Sequence, residues 1–286
     1  MLGHECWQMM TKQRALSKGV DLQRRRAPIY DQEDIAALRS VCQQSSAILD
    51  EIAPFIAPGV TTQALDDRID TMMRDAGGVA ATLGYKGYPA SSCISVNHVV
   101  NHGIPSEAKR LQDGDIVNID VTLLKDGWYG DNSRMYLVGD RCTVKAKKLV
   151  DITYQAMMAG IDQVRPGAEL MEIGLAIQTI AHRAGFSVVE EYCGHGVGRA
   201  FHDAPMIMHY AVPTDRMRME PGMVFTVEPM INAGKKGVKQ LSDGWTVVTR
   251  DRSLSAQFEH TVVVTEDGHD ILTLSPKGHT QPPYPL

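Results

Sequence analysis

The sequence predicts an α+β domain: two related halves, each with helices packed outside a curved antiparallel sheet. Three observations predict it. The first is an internal repeat at a constant offset of 108 residues, pairing Pro58-Gly59 with Pro166-Gly167, Leu65 with Ile173, Ile69 with Ile177, Met72 with Ile180, and Ala76-Gly77 with Ala184-Gly185. The register continues without a gap from Gly114 to Gly222, Ile116 to Val224, Ile119 to Val227 and Asp120 to Glu228. Chance rarely keeps a Pro-Gly pair, apolar stripes and an acid in step over about 60 residues. The second is the order of the segments, helix-period stretches followed by strand-period stretches, met twice along the chain. The third is Asp126-Gly127 between two apolar runs, the dipeptide that favours a tight hairpin turn. The halves are expected to meet on a pseudo-twofold axis, where Asp120 and Glu228 converge.

Taken in order, residues 1–30 form a basic arm, with Lys12, Arg14, Lys18 and Arg24-Arg25-Arg26 against only Glu5 and Asp21. Such an arm is read as solvated, with contact to ribosomal RNA or an acidic partner as the other reading. His4 and Cys6 are too few for a zinc site. Residues 31–53 read as a helix capped by Asp31, with Ile35, Leu38, Val41, Ile48, Leu49 and Ile52 as its apolar stripe, ended by Pro54 and Pro58-Gly59. A second helix follows Thr61 and stops at Gly77-Gly78, and strands fill 79–138. A third helix runs from Thr143 to about Val164, and a fourth from Ala168 to Ala184, closed by Gly185. Strands dominate the remainder, His260–Thr265 most clearly, and residues 276–286 are a Pro-rich tail read as loose. The domain itself is assigned to residues 31–275.

A chain of 286 residues with 43% hydrophobic content can bury a large core. The net charge of −5 argues against nucleic acid or membrane as a general partner, so neither DNA nor a bilayer is expected. Five scattered cysteines without a CxxC pair point to a reducing compartment, and no apolar run approaches the roughly 18 residues of a membrane span. A cytoplasmic location follows as the expectation.

The chemistry concentrates in a few places. The hairpin over 116–124 and 128–138 pairs Lys125 with Trp128, Leu124 with Tyr129, Leu123 with Gly130 and Thr122 with Asp131. Asp120 lies two residues from Thr122 and therefore shares the face of Asp131. Two neighbouring carboxylates in an apolar setting stay ionised only with a cation between them; on an open surface they would be ordinary solvated acids. Val224-Phe-Thr-Val-Glu-Pro229 ends an apolar strand in Glu228, and Glu259 sits at the mouth of the apolar run after Gln257. Tyr192-Cys-Gly-His-Gly-Val-Gly places His195 among glycines, with His202 seven residues on. A straight strand would put these two imidazoles on opposite faces, so a bend is required if both serve one site. Four carboxylates and one neutral imidazole carry a charge that two divalent cations cancel, and the oxygen-rich set suits Mn(II), Fe(II), Co(II) or Zn(II). A water bridging two such ions becomes a nucleophile near neutral pH, which is hydrolytic chemistry. No GxGxxG after a strand, P-loop or G-x-S-x-G elbow competes with it.

With these residues on view, the chain resembles the bacterial type I methionine aminopeptidases, of the pita-bread fold, over roughly residues 30–275. The motifs are Val117-Asn-Ile-Asp-Val, Gly130-Asp-Asn-Ser-Arg, Tyr192-Cys-Gly-His-Gly-Val-Gly with His202 and His209-Tyr210, Phe225-Thr-Val-Glu-Pro-Met, and Ser255-Ala-Gln-Phe-Glu-His. The resemblance implies removal of the initiator methionine from nascent polypeptide N-termini when the second residue is small. It implies Asp120, Asp131, His195, Glu228 and Glu259 as ligands of two metal ions, with Asp131 and Glu259 bridging, and Glu228 also handling the proton of the attacking water. It implies His102 and His202 as outer histidines at the scissile amide. It implies a methionine pocket of Tyr85, Tyr88, Cys93, Phe201 and Trp245, which on their own read equally as core. A monomer is expected. Asn101, His98 and Thr82 depart from residues common in the family, near the pocket and away from the ligands. Two other readings exist: an Xaa-Pro dipeptidase or aminopeptidase P, for which the arm is too short to form the usual N-terminal domain, and a non-catalytic pita-bread binding protein, which would tend to lose ligands.

Overall fold

The computed structural model describes residues 26–284. Most of the basic arm, with His4 and Cys6, and the last two residues of the tail lie outside the described residues. Among the described residues four α-helices occur: α1 (Gln32–Ile52), α2 (Thr62–Asp75), α3 (Val144–Ile161) and α4 (Met171–Arg183). Three begin on a side-chain cap. Asp31 accepts the Asp34 N–H at 2.9 Å, Thr61 the Ala64 N–H at 3.1 Å, and Thr143 the Ala146 N–H at 3.1 Å. None of the described helices is long and apolar enough to cross a membrane.

The repeat in the sequence is a repeat in the hydrogen bonds. Gly59 N–H donates to the Leu111 carbonyl and Gly167 N–H to that of Met219, both at 2.8 Å. Isolated antiparallel bridges join Thr61 to Arg110 and Glu169 to Arg218. Gly114 and Gly222 both take positive φ, +103° and +87°, ahead of their strands. The strands continue the match. Ile116–Lys125 pairs with Trp128–Leu137 in the register read from the sequence, Thr122 opposite Asp131 and Asp120 opposite Ser133. In the second half Val224 faces Val263 and Met230 faces Gln257. Leu137 to Val263 and Asp131 to Gln257 are both 126 residues apart, because the second hairpin's connection is longer and carries two further strands, Val238–Gln240 and Val247–Thr249.

Each half owns a core. Leu38, Leu49, Leu65, Ile69, Ile119 and Leu123 join α1 and α2 to the first hairpin. Leu149, Met157, Ile173, Ile177, Phe225 and Phe258 join α3 and α4 to the second. These side chains are essentially fully buried, and each contributes about 1.5–3 kcal/mol of apolar transfer.

The helix α1 fixes which face of the first hairpin turns inward. A Cβ at Gly130 would lie 2.8 Å from the Val41 carbonyl oxygen, so helix and strand touch backbone to backbone. Two residues on, Asn132 donates to Ser45 Oγ at 2.9 Å, Arg134 pairs with Asp50, and Tyr136 Oη donates to the Leu49 carbonyl at 2.7 Å. Strand alternation then turns Asp131 and Ser133 to the other side, toward the second half.

The reading of 276–286 as loose is corrected as far as Tyr284. Ser275 Oγ lies 2.8 Å from both Asp50 carboxylate oxygens, Lys277 N–H donates to Asp50 at 3.2 Å, and Tyr284 Oη donates to the Met135 carbonyl at 3.0 Å. The buried Asp50–Arg134 pair and an aromatic contact between Tyr136 and Tyr284, 5.3 Å between ring centroids, hold the segment down.

Candidate metal centre

The inward face of the first hairpin presents Asp131 and, on the diagonal, Asp120. Thr122 Oγ1 donates to Asp131 Oδ1 at 2.7 Å, and Thr261 of the other half donates to the Asp131 carbonyl at 2.7 Å. Glu259 arrives from the second half, its N–H donating to the Ser133 carbonyl at 3.1 Å. Glu228 follows the strand Val224–Val227. Thr226 Oγ1 donates to its Oε1 at 2.8 Å and Gln257 Nε2 to its Oε2 at 3.2 Å, while its own N–H donates to His209 Nε2 at 3.1 Å.

His195 is brought in by glycines. A Cβ at Gly194 would meet the Thr226 carbonyl at 2.2 Å and one at Gly196 the Ala204 carbonyl at 2.0 Å, so only glycine allows the neighbouring strands this close. The ladder slips between His195 and Gly196. The loop 197–202, which joins the antiparallel strands Gly194–Gly196 and Asp203–Ile207, supplies the bend required by the seven-residue spacing, and the His195 and His202 rings stand 4.0 Å apart. His195 Nδ1 lies 3.1 Å from the Gly196 carbonyl, which can only accept, so Nδ1 carries the proton and Nε2 offers its lone pair. That Nε2 is 3.6 Å from Asp131 Oδ2 and 3.6 Å from Glu228 Oε1. Ligand atoms of Asp131, His195 and Glu259 lie within 4.8 Å of one another.

The electrostatics call for a cation. Burial raises Asp131 to about 7. Asp120 and Glu259 are pushed well above the carboxylate range, first by burial and then by neighbouring acids: Asp131 for Asp120, and Asp131, Glu228 and Asp120 for Glu259. Burial lowers His195 to about 4, leaving a neutral ligand. Four crowded acids with oxygen donors and one neutral imidazole fit divalent ions of the Mn, Fe, Co and Zn kind.

Two clusters of side chains border these residues, one through the contact of His202 with His195 and the other through Cys93 opposite Asp120. Tyr85, Phe201 and His202 form one: Tyr85 lies 4.8 Å from Phe201, stacks on His202 at 5.5 Å, and Phe201 lies 4.2 Å from His202. His202 itself is exposed at the mouth, though burial among these rings, then His195 and His102, lowers its pKa. Tyr88, Cys93 and Trp245 form the other as a separate buried cluster, and Cys93 sits opposite Asp120 in the sheet. His102 meets Trp245 at 6.0 Å, and burial lowers it to about 4. Of the residues singled out in the sequence, Asp131, His195 and Glu259 gather within 4.8 Å, Glu228 stands 3.6 Å from His195, and Cys93 lies opposite Asp120, while Tyr85, Phe201 and His202 form one ring cluster and Tyr88, Trp245 and His102 another. Of the departures, Asn101 is buried with Nδ2 3.3 Å from Met230 Sδ, and Thr82 donates to the Ala90 carbonyl at 3.2 Å. Sequence reasoning assigned no role to Thr226, Gln257 or His209, the three residues that grip Glu228. Thr226 was within reach, since it lies two residues before Glu228 on a strand and shares its face.

The model of metallopeptidase family M24 matches residues 36–266, a span that includes all five acid and histidine ligands proposed from the sequence. A methionine aminopeptidase of Rickettsia prowazekii is 51% identical over 257 residues, covering 90% of this chain and 98% of the relative. That of Escherichia coli K12 is 52% identical over 244 residues, covering 85% and 92%. The chain belongs to the methionine aminopeptidases of metallopeptidase family M24. It is of the bacterial type I kind with the pita-bread fold. The crystal structure of the Rickettsia prowazekii methionine aminopeptidase superposes with a TM-score of 0.85 at 50% identity, covering 87% of this chain and 100% of that one. The Thermotoga maritima methionine aminopeptidase gives 0.84 at 35%, covering 87% and 99%. A Pyrococcus horikoshii prolidase, at 21% identity and a TM-score of 0.68, covers 86% of this chain and 63% of its own, and shares the fold alone.

Proposed function

We propose that this M24 metallopeptidase hydrolyses the peptide bond after an N-terminal methionine, on polypeptides whose second residue is small. The observation that carries the reading is the meeting of Asp131 from one half with His195 and Glu259 from the other inside 4.8 Å, with Glu259 buried beside the acids Asp131, Glu228 and Asp120.

Asp120, Asp131 and Glu259 would hold one ion, and His195 and Glu228 with Asp131 and Glu259 the other. Divalent cations bound there supply a Lewis acid for the scissile carbonyl and lower the pKa of a water. Glu228, held by uncharged donors, is placed to take the proton of the attacking water and return it to the leaving amine. His202 and His102, both kept neutral, would donate to the scissile amide as charge builds on its oxygen. Tyr88, Cys93 and Trp245 with Phe201 and Tyr85 offer a soft apolar pocket for the methionine side chain.

The test is hydrolysis of Met-Ala-Ser by the purified protein after chelation and after re-addition of Mn(II), Co(II), Fe(II) or Zn(II), with metal content measured alongside. Activity that needs no metal, or a preference for Xaa-Pro peptides, would overturn it.

A further inference from the structure

We infer that His209 is a positioning residue whose Nε2 captures the Glu228 backbone N–H and thereby aims the Glu228 carboxylate into the metal centre. This rests on the metallopeptidase reading above. The need for such a residue comes from where the sheet ends. The strand Val224–Val227 pairs with His260–Val264 through Val227 opposite His260. The paired stretch stops at that residue. Glu228 lies one position past it, and Pro229 after it has no N–H and cannot extend the pairing. The amide is turned to His209 Nε2 at 3.1 Å.

His209 is fully buried, and its place is set by the second half's own helix. A Cβ at Gly174 on α4 would lie 2.3 Å from the Tyr210 carbonyl oxygen and 2.6 Å from that of Met208, so both flanks of His209 press directly on that helix. The grip on Glu228 is therefore at both ends: His209 on the main chain, Thr226 and Gln257 on the carboxylate. These three hydrogen bonds limit the freedom of the carboxylate to swing. Its Oε1 is left 3.6 Å from His195 Nε2, the other ligand proposed for the same ion. His209 acts through Glu228 and is not placed against substrate. Partners of this kind are typically worth about 10–100-fold in metal affinity or activity.

The experiment compares wild type, His209→Leu and His209→Gln, each stripped of metal and titrated with Mn(II) by calorimetry, then assayed on Met-Ala-Ser. Glutamine carries an acceptor oxygen close to where Nε2 stands, whereas leucine keeps bulk and loses the acceptor. The Mn(II) event that His195→Ala removes marks the affected ion. In His209→Leu that event is expected to weaken about 10–100-fold and kcat to fall by a similar factor, with KM within about twofold. His209→Gln is expected to stay within about threefold of wild type on both measures. A leucine variant that titrates and turns over like wild type overturns the inference. So does a glutamine variant as impaired as leucine, which would mean that ring packing, not the acceptor, matters. Should leucine prevent folding, Gly174→Ala displaces the segment with the imidazole intact, and an unchanged Mn(II) titration there would count equally against it. Failure of the enzyme reading looks different: wild type itself would bind no Mn(II) and cleave no peptide.

Discussion

Ser133 and Glu259 stand opposite each other across an isolated antiparallel bridge, and they occupy equivalent positions in the two hairpins. Asp120 faces Ser133 in the first, and continuing the register of the second places Glu259 opposite Glu228. The bridge is thus the pseudo-axis itself, and the acids gather there because the duplication carries them to it. Asn118 fastens the junction, its Nδ2 donating to Ser133 Oγ at 3.1 Å and to the Gln257 carbonyl at 2.8 Å.

Asn118→Leu should destabilise the protein by about 1–3 kcal/mol, since it leaves the buried Gln257 carbonyl without its donor. Urea unfolding of the metal-free protein measures this. Unchanged stability would show that the junction does not depend on Asn118.

Asp131→Asn should cost at least about 1000-fold in kcat/KM, the scale of losing several kcal/mol of metal-assisted charge stabilisation. The same change should raise the melting temperature of the metal-free protein above neutral pH, because it removes a carboxylate that burial already resists ionising. Kinetics and metal-free thermal scans test the two halves of the prediction separately.

Metal affinity should rise with pH through about 7. In the metal-free fold Asp131 titrates at about 7, raised from its ordinary value of 3.8. The folded protein therefore holds a proton there that the unfolded chain has lost, and that contribution to stability is fully present below the unfolded value and disappears as pH rises through about 7. A cation must displace the same proton, so below about pH 7 affinity drops about tenfold per unit for each proton released. Calorimetry in buffers of different ionisation enthalpy counts those protons; zero release at pH 6 would refute the linkage.

His202→Ala should lower kcat by about 100–1000-fold, the cost of one donor to a developing oxyanion, with metal content unchanged. The ring is 4.0 Å from His195 yet outside the group of acids, so metal analysis distinguishes loss of the donor from loss of an ion.

Asp50→Ala should destabilise by about 3–5 kcal/mol, because Arg134 would stay buried without its partner. Ser275 and the Lys277 N–H lose their acceptor at the same time, so residues 275–284 should become cleavable by added protease at low concentration.

The parts of this molecule legible in the sequence are those governed by short-range rules. Asp126-Gly127 adopts φ of +52° and +76°, which fixes the turn and hence every pairing out to Ile116 and Leu137. Asp31, Thr61 and Thr143 cap helices where their spacing said they would. The repeat carried this local information across the chain and set Asp120 and Glu228 at equivalent positions in the two hairpins. The meeting of His195 with His202 was legible only as a condition, since nothing in the spacing says that the chain will reverse between Gly196 and Asp203. The docked tail was not legible, because its anchor is an ion pair between Asp50 and Arg134, 84 residues apart. The hold on Glu228 by His209 and Gln257 depends on the same kind of long-range approach.

The axis at Ser133 and Glu259 has a consequence for synthesis. The first half of the chain carries only Asp120 and Asp131, and the last member of the set, Glu259, is translated close to the C-terminus. A chain interrupted before Glu259 would lack one of the three side chains that meet within 4.8 Å and the residue that bridges to Ser133. The cluster is complete only once residues 255–264 have emerged and packed against the first hairpin.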